Sequence, residues 1–582
     1  MKNKGYTLIE LLGVIIILAV LITLIFPSII NYIKSSNDTK DDLTIDLIMN
    51  AAQLFVEDNS DDFINTNGNK YCLKLNTLIE NNYLKGDLEY EGESLIGVKD
   101  LQITYSNGLN FEFIDSDECK NNVLYVEDSN ISSPDLLNDT LTPVVYDGNN
   151  WRVADIYSEW YSYKTQEWAN AVILNGSVDK KVGDVVTVEG SNPDALAMFV
   201  WIPRYEYKIE GLYGRGGTSV SSPGEIEINF IIKDIKEATI GYRIHPAFNF
   251  GGEDISGIWV GKFELSHTTK TTSSLGCKTD TCSESNGLRI LPNVQSLRKN
   301  TVSSFFYAIR SMNKEENVFG LNSGITDSHM MKNSEWGAVA YLSQSRYGKY
   351  GNISYKPEEK EVYINNSSGF YTGRSGGSYG GNTAINKVEE YNQLNETTEY
   401  NLVGYYTYDG YLLEYNTNNK TNTRNMNKVA STTGNIYGIY DMSGGAFEYV
   451  MGVFANLDGK KWSGTNSSSN SGFKGNNIED GTAVVGVEWP GEEYYNEYKA
   501  SSEETVAQVC NNYGCYGHAL IETNGWYNDT CNKKYNYPWF IRGGYSTNND
   551  KGLDKVGIFY YYGFHGGVND SGSTRVVLTS NV

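Results

Sequence analysis

Glu10 is the residue whose surroundings most constrain its chemistry. It is the lone carboxylate in residues 8–26, an almost wholly apolar run that follows a short basic leader, Lys2 and Lys4, and the pair Gly5-Tyr6. An unpaired carboxylate at membrane depth is costly, so a cation must meet it when the segment inserts or assembles. A helix over residues 6–34 would be roughly 43 Å long at about 1.5 Å per residue, enough to span a bilayer and protrude. A secretory signal peptide would want a small-x-small cleavage site after the apolar run, where Phe26-Pro27-Ser28 stands instead, and a plain anchor needs no Glu10. Either way the remainder of the chain is exported.

Other side chains with chemistry are more scattered. The chain has seven cysteines: Cys72, Cys119, Cys277, Cys282, Cys510, Cys515 and Cys531. In an exported protein disulfides are expected, and near neighbours suggest Cys277 with Cys282 and Cys510 with Cys515, while Cys72 with Cys119 would close the first globular unit. Cys531 is then left over, with Cys515 to Cys531 as a competing pairing. A zinc site drawn from the two Cys-x4-Cys pairs and His518 lacks the CxxC spacing of such sites. The five histidines, His245, His267, His329, His518 and His565, show no paired spacing, and no G-x-S-x-G or phosphate-loop pattern occurs. No catalytic residue can be named.

The run Gly5-Tyr6-Thr7-Leu8-Ile9-Glu10 resembles the cleavage and methylation motif of type IV prepilins and pseudopilins. Tyr6 stands where that family usually has Phe, and Pro27 stands where many pilins kink their long helix. The resemblance implies cutting after Gly5 by a prepilin peptidase and methylation of the new amino terminus at Tyr6. It also implies pairing of Glu10 with the terminal amine of a neighbouring pilin subunit. The expected location is the cell membrane before assembly and the cell surface or pilus afterwards.

At 582 residues the chain is long for one domain. An apolar fraction of 40% supports real cores. The net charge of −24 argues against nucleic acid as a partner, because phosphates would be repelled. Tyr is over-represented, 45 against 20 Phe, alongside Asn, Ser and Gly, a set that recognition surfaces favour and that codon bias also produces. The expected organisation is a leader (1–5), a transmembrane or filament-core helix (6–34), a pilin-like α+β head (35–120), a polar linker (121–140), a small aromatic-rich β segment (141–196) and a large domain (197–582). Leu43, Ile45, Leu47, Ile48, Ala51, Leu54 and Phe55 recur at helical spacing. Residues 71–84 look like the short helix and turn common in Gram-positive pseudopilins. Residues 101–113, and 146–151 around Asp147-Gly148-Asn149-Asn150, read as hairpins. Trp160, Tyr161, Tyr163 and Trp168 read as core rather than as a sugar-stacking platform. Amphipathic helices are expected at 303–312 and 333–342, the second with Trp336, Val339 and Ala340 on one face.

The large region resembles the formylglycine-generating-enzyme-like branch of the C-type lectin fold. The resemblance is carried by Gly261-Lys262-Phe263-Glu264, by Ser334-Glu335-Trp336, by Asp441-Met442-Ser443-Gly444-Gly445-Ala446-Phe447-Glu448-Tyr449, by Arg542-Gly543-Gly544 and by a degraded last step at Arg575. It implies an α+β domain and, near Asp441 and Glu448, a neighbourhood that often holds calcium; the competing reading is a satisfied polar pair. The family's oxidase chemistry needs a cysteine pair late in the domain, and nothing follows Cys531. Trp526, Tyr527, Tyr535, Tyr537, Trp539, Tyr545, Asn548, Asn549, Tyr561 and His565 are the expected ligand-binding residues. The expected function is a minor or tip pilin-like subunit displaying a non-catalytic domain that binds a surface glycan or protein. The alternatives are a tethered formylglycine-generating-type oxidase and a DNA-uptake pseudopilin.

Overall fold

The computed structural model describes residues 39–580 except 60–69, 86–87, 91–92, 106–108, 117, 119–126, 315, 357–358, 368, 376–403, 411, 415–428, 465–469, 479, 502–503, 505, 533–536 and 545–555. These residues form a mixed, mostly sheet protein with few helices, and the chain divides into two units, Met1–Leu124 and Tyr125–Val582.

In the first unit the helix Thr39–Asp58 buries Ile48, Ala51, Ala52 and Val56, a stripe at helical spacing. Leu47 and Leu54, which belong to the same apolar pattern in the sequence, are instead 54% and 47% exposed. The stripe meets a three-stranded antiparallel sheet in the order Lys70–Leu73, Lys99–Tyr105, Leu109–Asp115. The short helix Leu75–Glu80 has no side-chain cap of its own; the buried Asp100 carboxylate, on the neighbouring strand, accepts the Leu75 N–H at 3.0 Å. That bond satisfies one of the orphan donors of the helix start.

The second unit contains an eight-stranded sheet, antiparallel throughout. Its order is Thr326–Met330, Val576–Ser580, Gly257–Gly261, Ala195–Pro203, Asn170–Leu174, Thr142–Tyr146, Trp151–Val153 and Val185–Val186. The separate segment expected at 141–196 is therefore corrected: its strands continue the sheet of the large domain, and Trp160, Tyr161, Tyr163 and Trp168 lie in one shared core. The expected linker is also shorter than 121–140. Glu127 accepts from Ser162 Oγ and Tyr163 N at 2.8 and 2.7 Å, and the indoles of Trp201 and Trp259 donate to the carbonyls of Ser132 and Asp135. Residues of that stretch serve as acceptors to the large domain, Glu127 through its side chain and Ser132 and Asp135 through their carbonyls, which composition alone does not reveal.

A second sheet has the order Asn496–Lys499, Phe447–Ala455, Trp539–Gly543, Gly557–Phe564, Cys531–Asn532, with Gly572–Thr574 also pairing with Phe447–Ala455. Of the two long helices, Val302–Arg310 is capped by Thr301, whose Oγ1 accepts the Ser304 N–H at 3.2 Å. The other, Asn333–Ser343, is buried on every side rather than amphipathic. Loop 514–530 covers the face that an isolated helix would show to water; a Cβ on Gly337 would overlap the Gly517 carbonyl.

Candidate functional site

The motif residues come together, but in a closed polar knot. Lys262, Glu264, Asp441, Glu448 and Arg575 are all 0% exposed. Arg575 donates from Nε and Nη2 to the two oxygens of Glu448 at 3.0 and 2.5 Å, and from Nη1 and Nη2 to the carbonyls of Gly261 and Tyr440 at 2.8 Å each. Lys262 Nζ donates to Asn170 Oδ1 and to the carbonyls of Ile436 and Gly438 at 2.7, 2.6 and 2.9 Å. Glu264 accepts from Ser296 Oγ and from Ala446 N. Asp441, in the left-handed region at φ 64°, accepts from Asn365 Nδ2 and Gly373 N at 2.7 and 2.8 Å. Burial raises Glu448 and the Arg575 guanidinium works to lower it, but burial outweighs the contact and the carboxyl is pushed up to about 7. Among the described residues Glu264 has no ion-pair partner, and burial followed by the charges of Asp441 and Glu448 pushes it well above the usual carboxylate range, against the weaker pull of Arg575.

This arrangement does not fit calcium. Both Glu448 oxygens face Arg575, and Asp441 is held by amide donors, so neither offers a carboxylate to a hard cation. Among the described residues no three His, Cys, Asp or Glu side chains gather as a metal-ligand set. The cysteine pairs Cys277–Cys282 and Cys510–Cys515 are disulfides with Cα separations of 5.4 and 4.9 Å. Cys72 is disulfide-bonded, and Cys119 lies outside the described residues. Cys531 is a free thiol, pushed up by burial to about 12, which leaves little thiolate at neutral pH.

Two open clefts lie on the second unit. One, of about 410 Å³, is bordered by Asn249, Gly252, Lys332, Ser334 and Glu493; the other, of about 320 Å³, by Leu212, Ile521, Glu522, Asn524 and Trp526. Behind the first runs a buried chain of charges. Lys332 Nζ lies 3.3 Å from Glu335, which meets His329 Nε2 at 2.9 Å; His329 Nδ1 meets Asp327 at 2.7 Å, and Asp327 also pairs with Arg310 and accepts from Tyr494. Periodicity in the sequence gave no sign of this chain, since its members span separate strands and helices.

Burial works to lower His329, but Glu335 and Asp327 outweigh it and hold the imidazole above its usual value. Burial works to raise Asp327 and Glu335, yet their cationic partners hold each near about 2. The histidine's contribution to stability is fully present below its unfolded pKa and is lost as pH rises through the folded one. The carboxylates' contribution is present above about pH 4 and is lost as pH falls toward 2. Urea titrations across pH 3–9 should show both limbs, and His329→Asn should flatten the alkaline one; an unchanged alkaline limb would refute the role of this histidine.

The expected ligand-binding aromatics are corrected in part. Trp526, Tyr527, Trp539 and Tyr561 are between 0% and 9% exposed and belong to the core; of the four, Trp526 also borders the second cleft. Their rings are consumed by packing, as where Trp526 meets Phe559 at 5.4 Å. Tyr537 and His565 are half-buried against each other at 5.7 Å. Tyr535, Tyr545, Asn548 and Asn549 lie outside the described residues, as do Gly5, Tyr6, Glu10 and Pro27. Among the described residues no helix is long and apolar enough to cross a membrane.

Residues 1–26 match the family described as the prokaryotic N-terminal methylation motif. The match supports a type IV prepilin-like N-terminus, and with it processing by a prepilin peptidase, assembly with other pilin subunits and a route through the membrane to the surface. No curated protein matches the chain.

Proposed function

We propose that this chain is a minor or tip pilin-like subunit that displays its second unit at the cell surface to bind a glycan or protein. The observation that carries the reading is the methylation-motif match over residues 1–26, in which Glu10 is the one carboxylate of the apolar run. A head as large as Tyr125–Val582 would crowd a filament packed through N-terminal helices, which favours a minor position. The formylglycine-generating-enzyme-like reading of the large domain is supported by the way Lys262, Glu264, Glu448 and Arg575 tie distant motif segments together. Because the buried aromatics are unavailable, the two open clefts take over as the surfaces on which a ligand would bind. The oxidase alternative loses support from Cys510 and Cys515 being bonded to each other and Cys531 standing alone.

Coexpression with a prepilin peptidase should yield a chain beginning at Tyr6, read by mass spectrometry. Glu10→Ala should leave that cleavage intact while surface assembly, read by immunolabelling, falls at least tenfold. An uncut chain at Gly5, or normal assembly of the variant, would refute the proposal. Glycan and protein arrays probed with the full chain in detergent test the recognition part separately.

A further inference from the structure

Arg542 and Arg575 are equally buried, at 0% exposure, yet their surroundings differ. Arg575 has a carboxylate and two carbonyls. Arg542 donates from Nη2 to the Ala519 carbonyl at 3.0 Å, while its Nε and Nη1 meet no acceptor among the described residues. Its guanidinium lies 5.4 Å from the Trp336 ring and 5.8 Å from the Tyr561 ring, and neither ring supplies a counter-charge. The buried carboxylate on the covering loop, Asp529, accepts the Phe559 N–H at 3.0 Å; burial pushes it well above the usual carboxylate range although Arg542 works to lower it, so it gives the guanidinium neither a hydrogen bond nor a full counter-charge. A guanidinium stays protonated, and an uncompensated buried cation is among the costliest features a fold can carry. The loop is shaped to face it: Ala519 takes φ 47°, a strained conformation for a non-glycine residue, at the carbonyl that Arg542 uses.

We propose that Arg542 holds a small monovalent anion of the chloride class, enclosed between the strand Trp539–Gly543 and loop 514–530. Neither open cleft is bordered by Arg542, so the occupant is compact enough to be enclosed rather than the end of a larger ligand. A single negative charge balances the guanidinium, whereas a dianion would carry more desolvation cost than the site returns. The anion would hold the loop that supplies Ile521, Glu522 and Asn524 to the second cleft, so its occupancy would set the shape of that wall.

The test compares the full chain in detergent in sodium chloride, sodium bromide and sodium gluconate at matched ionic strength. Chloride and bromide should raise the thermal midpoint of the second unit saturably, by about 2–4 °C over gluconate. Arg542→Met should abolish the difference and be at least as stable as wild type in gluconate, because it removes the charge that needs a partner. Equal midpoints in the three salts, or a halide effect that persists in Arg542→Met, would overturn the proposal. Should the variant not fold, chloride-35 NMR on the wild-type chain decides: line broadening displaced by bromide supports the site, and its absence refutes it.

Discussion

Arg575→Met should destabilise the second unit by about 3–5 kcal/mol at neutral pH, the cost of leaving a buried carboxylate without its partner. Both groups are fully buried, so solvent does not screen the loss. Glu448, already raised to about 7 by burial with Arg575 in place, would be pushed higher still and take up a proton. A group whose folded pKa is raised contributes stability that is lost as pH rises through the folded value, so the part of the cost that comes from the charge should shrink as pH falls through about 7, where the wild-type carboxyl also takes up its proton. Glu448→Met/Arg575→Met should recover most of the loss, since an apolar pair needs no ionic compensation. The carbonyls of Gly261 and Tyr440 would still lose a donor, which keeps the double variant about 1–3 kcal/mol below wild type. Urea unfolding read by tryptophan fluorescence measures all three. A single variant as stable as the double would show that the ion pair is not what holds the knot.

The same pair shows which features could be read from the chain and which could not. Hairpins such as Lys99–Tyr105 with Leu109–Asp115, and Thr142–Tyr146 with Trp151–Val153, are legible because alternation and turn residues are local. Helix Val302–Arg310 is legible for the same reason, with Thr301 as its cap. The motif around Asp441 and Glu448 marked a neighbourhood for calcium or for a satisfied polar pair. What each carboxylate would meet was illegible, because the partner of Glu448 lies 127 residues away. Residue type misleads in both directions here. Lys262, Arg542 and Arg575 carry charge and yet are core, while Trp526, Tyr527 and Trp539 read as a recognition surface and are packed away. Aromatic residues serve recognition and core alike, so only the sheet order decides between them. The boundary expected near residue 197 failed for a related reason. Loops separate strands in sequence, but Asn170–Leu174 pairs along Ala195–Pro203, and the C-terminal strand Val576–Ser580 inserts between Gly257–Gly261 and Thr326–Met330. The sheet cannot close until Val576–Ser580 is made, hundreds of residues after its first strand, which argues for slow folding dominated by distant contacts.

Gly337→Ala should cost the second unit about 1–2 kcal/mol net, although alanine is the better helix former. In an open helix the exchange would gain about 1 kcal/mol. Here the added methyl would overlap the Gly517 carbonyl oxygen and lie 2.9 Å from its carbon and 3.0 Å from the His518 carbon. These are backbone atoms, so no side-chain rotation relieves the contact. The loop that carries them is held by the Cys510–Cys515 disulfide, by Tyr498 bonded to His518 Nδ1 at 2.6 Å, and by Glu522, which accepts from Tyr207, Tyr341 and Gly517 N. Overpacking against so fixed a neighbour costs about 1–3 kcal/mol, and the unfavourable term wins. Replacing Cys510 and Cys515 by serine in the Gly337→Ala background should recover part of the penalty, because the loop can then retreat. That coupling, read as a double-mutant cycle from urea midpoints, separates loop strain from helix propensity. A stabilised Gly337→Ala would mean that the helix and loop do not touch. The retreat would also move Ile521, Glu522 and Asn524, so any ligand captured in the second cleft should bind more weakly in the Gly337→Ala/Cys510→Ser/Cys515→Ser variant than in Gly337→Ala alone.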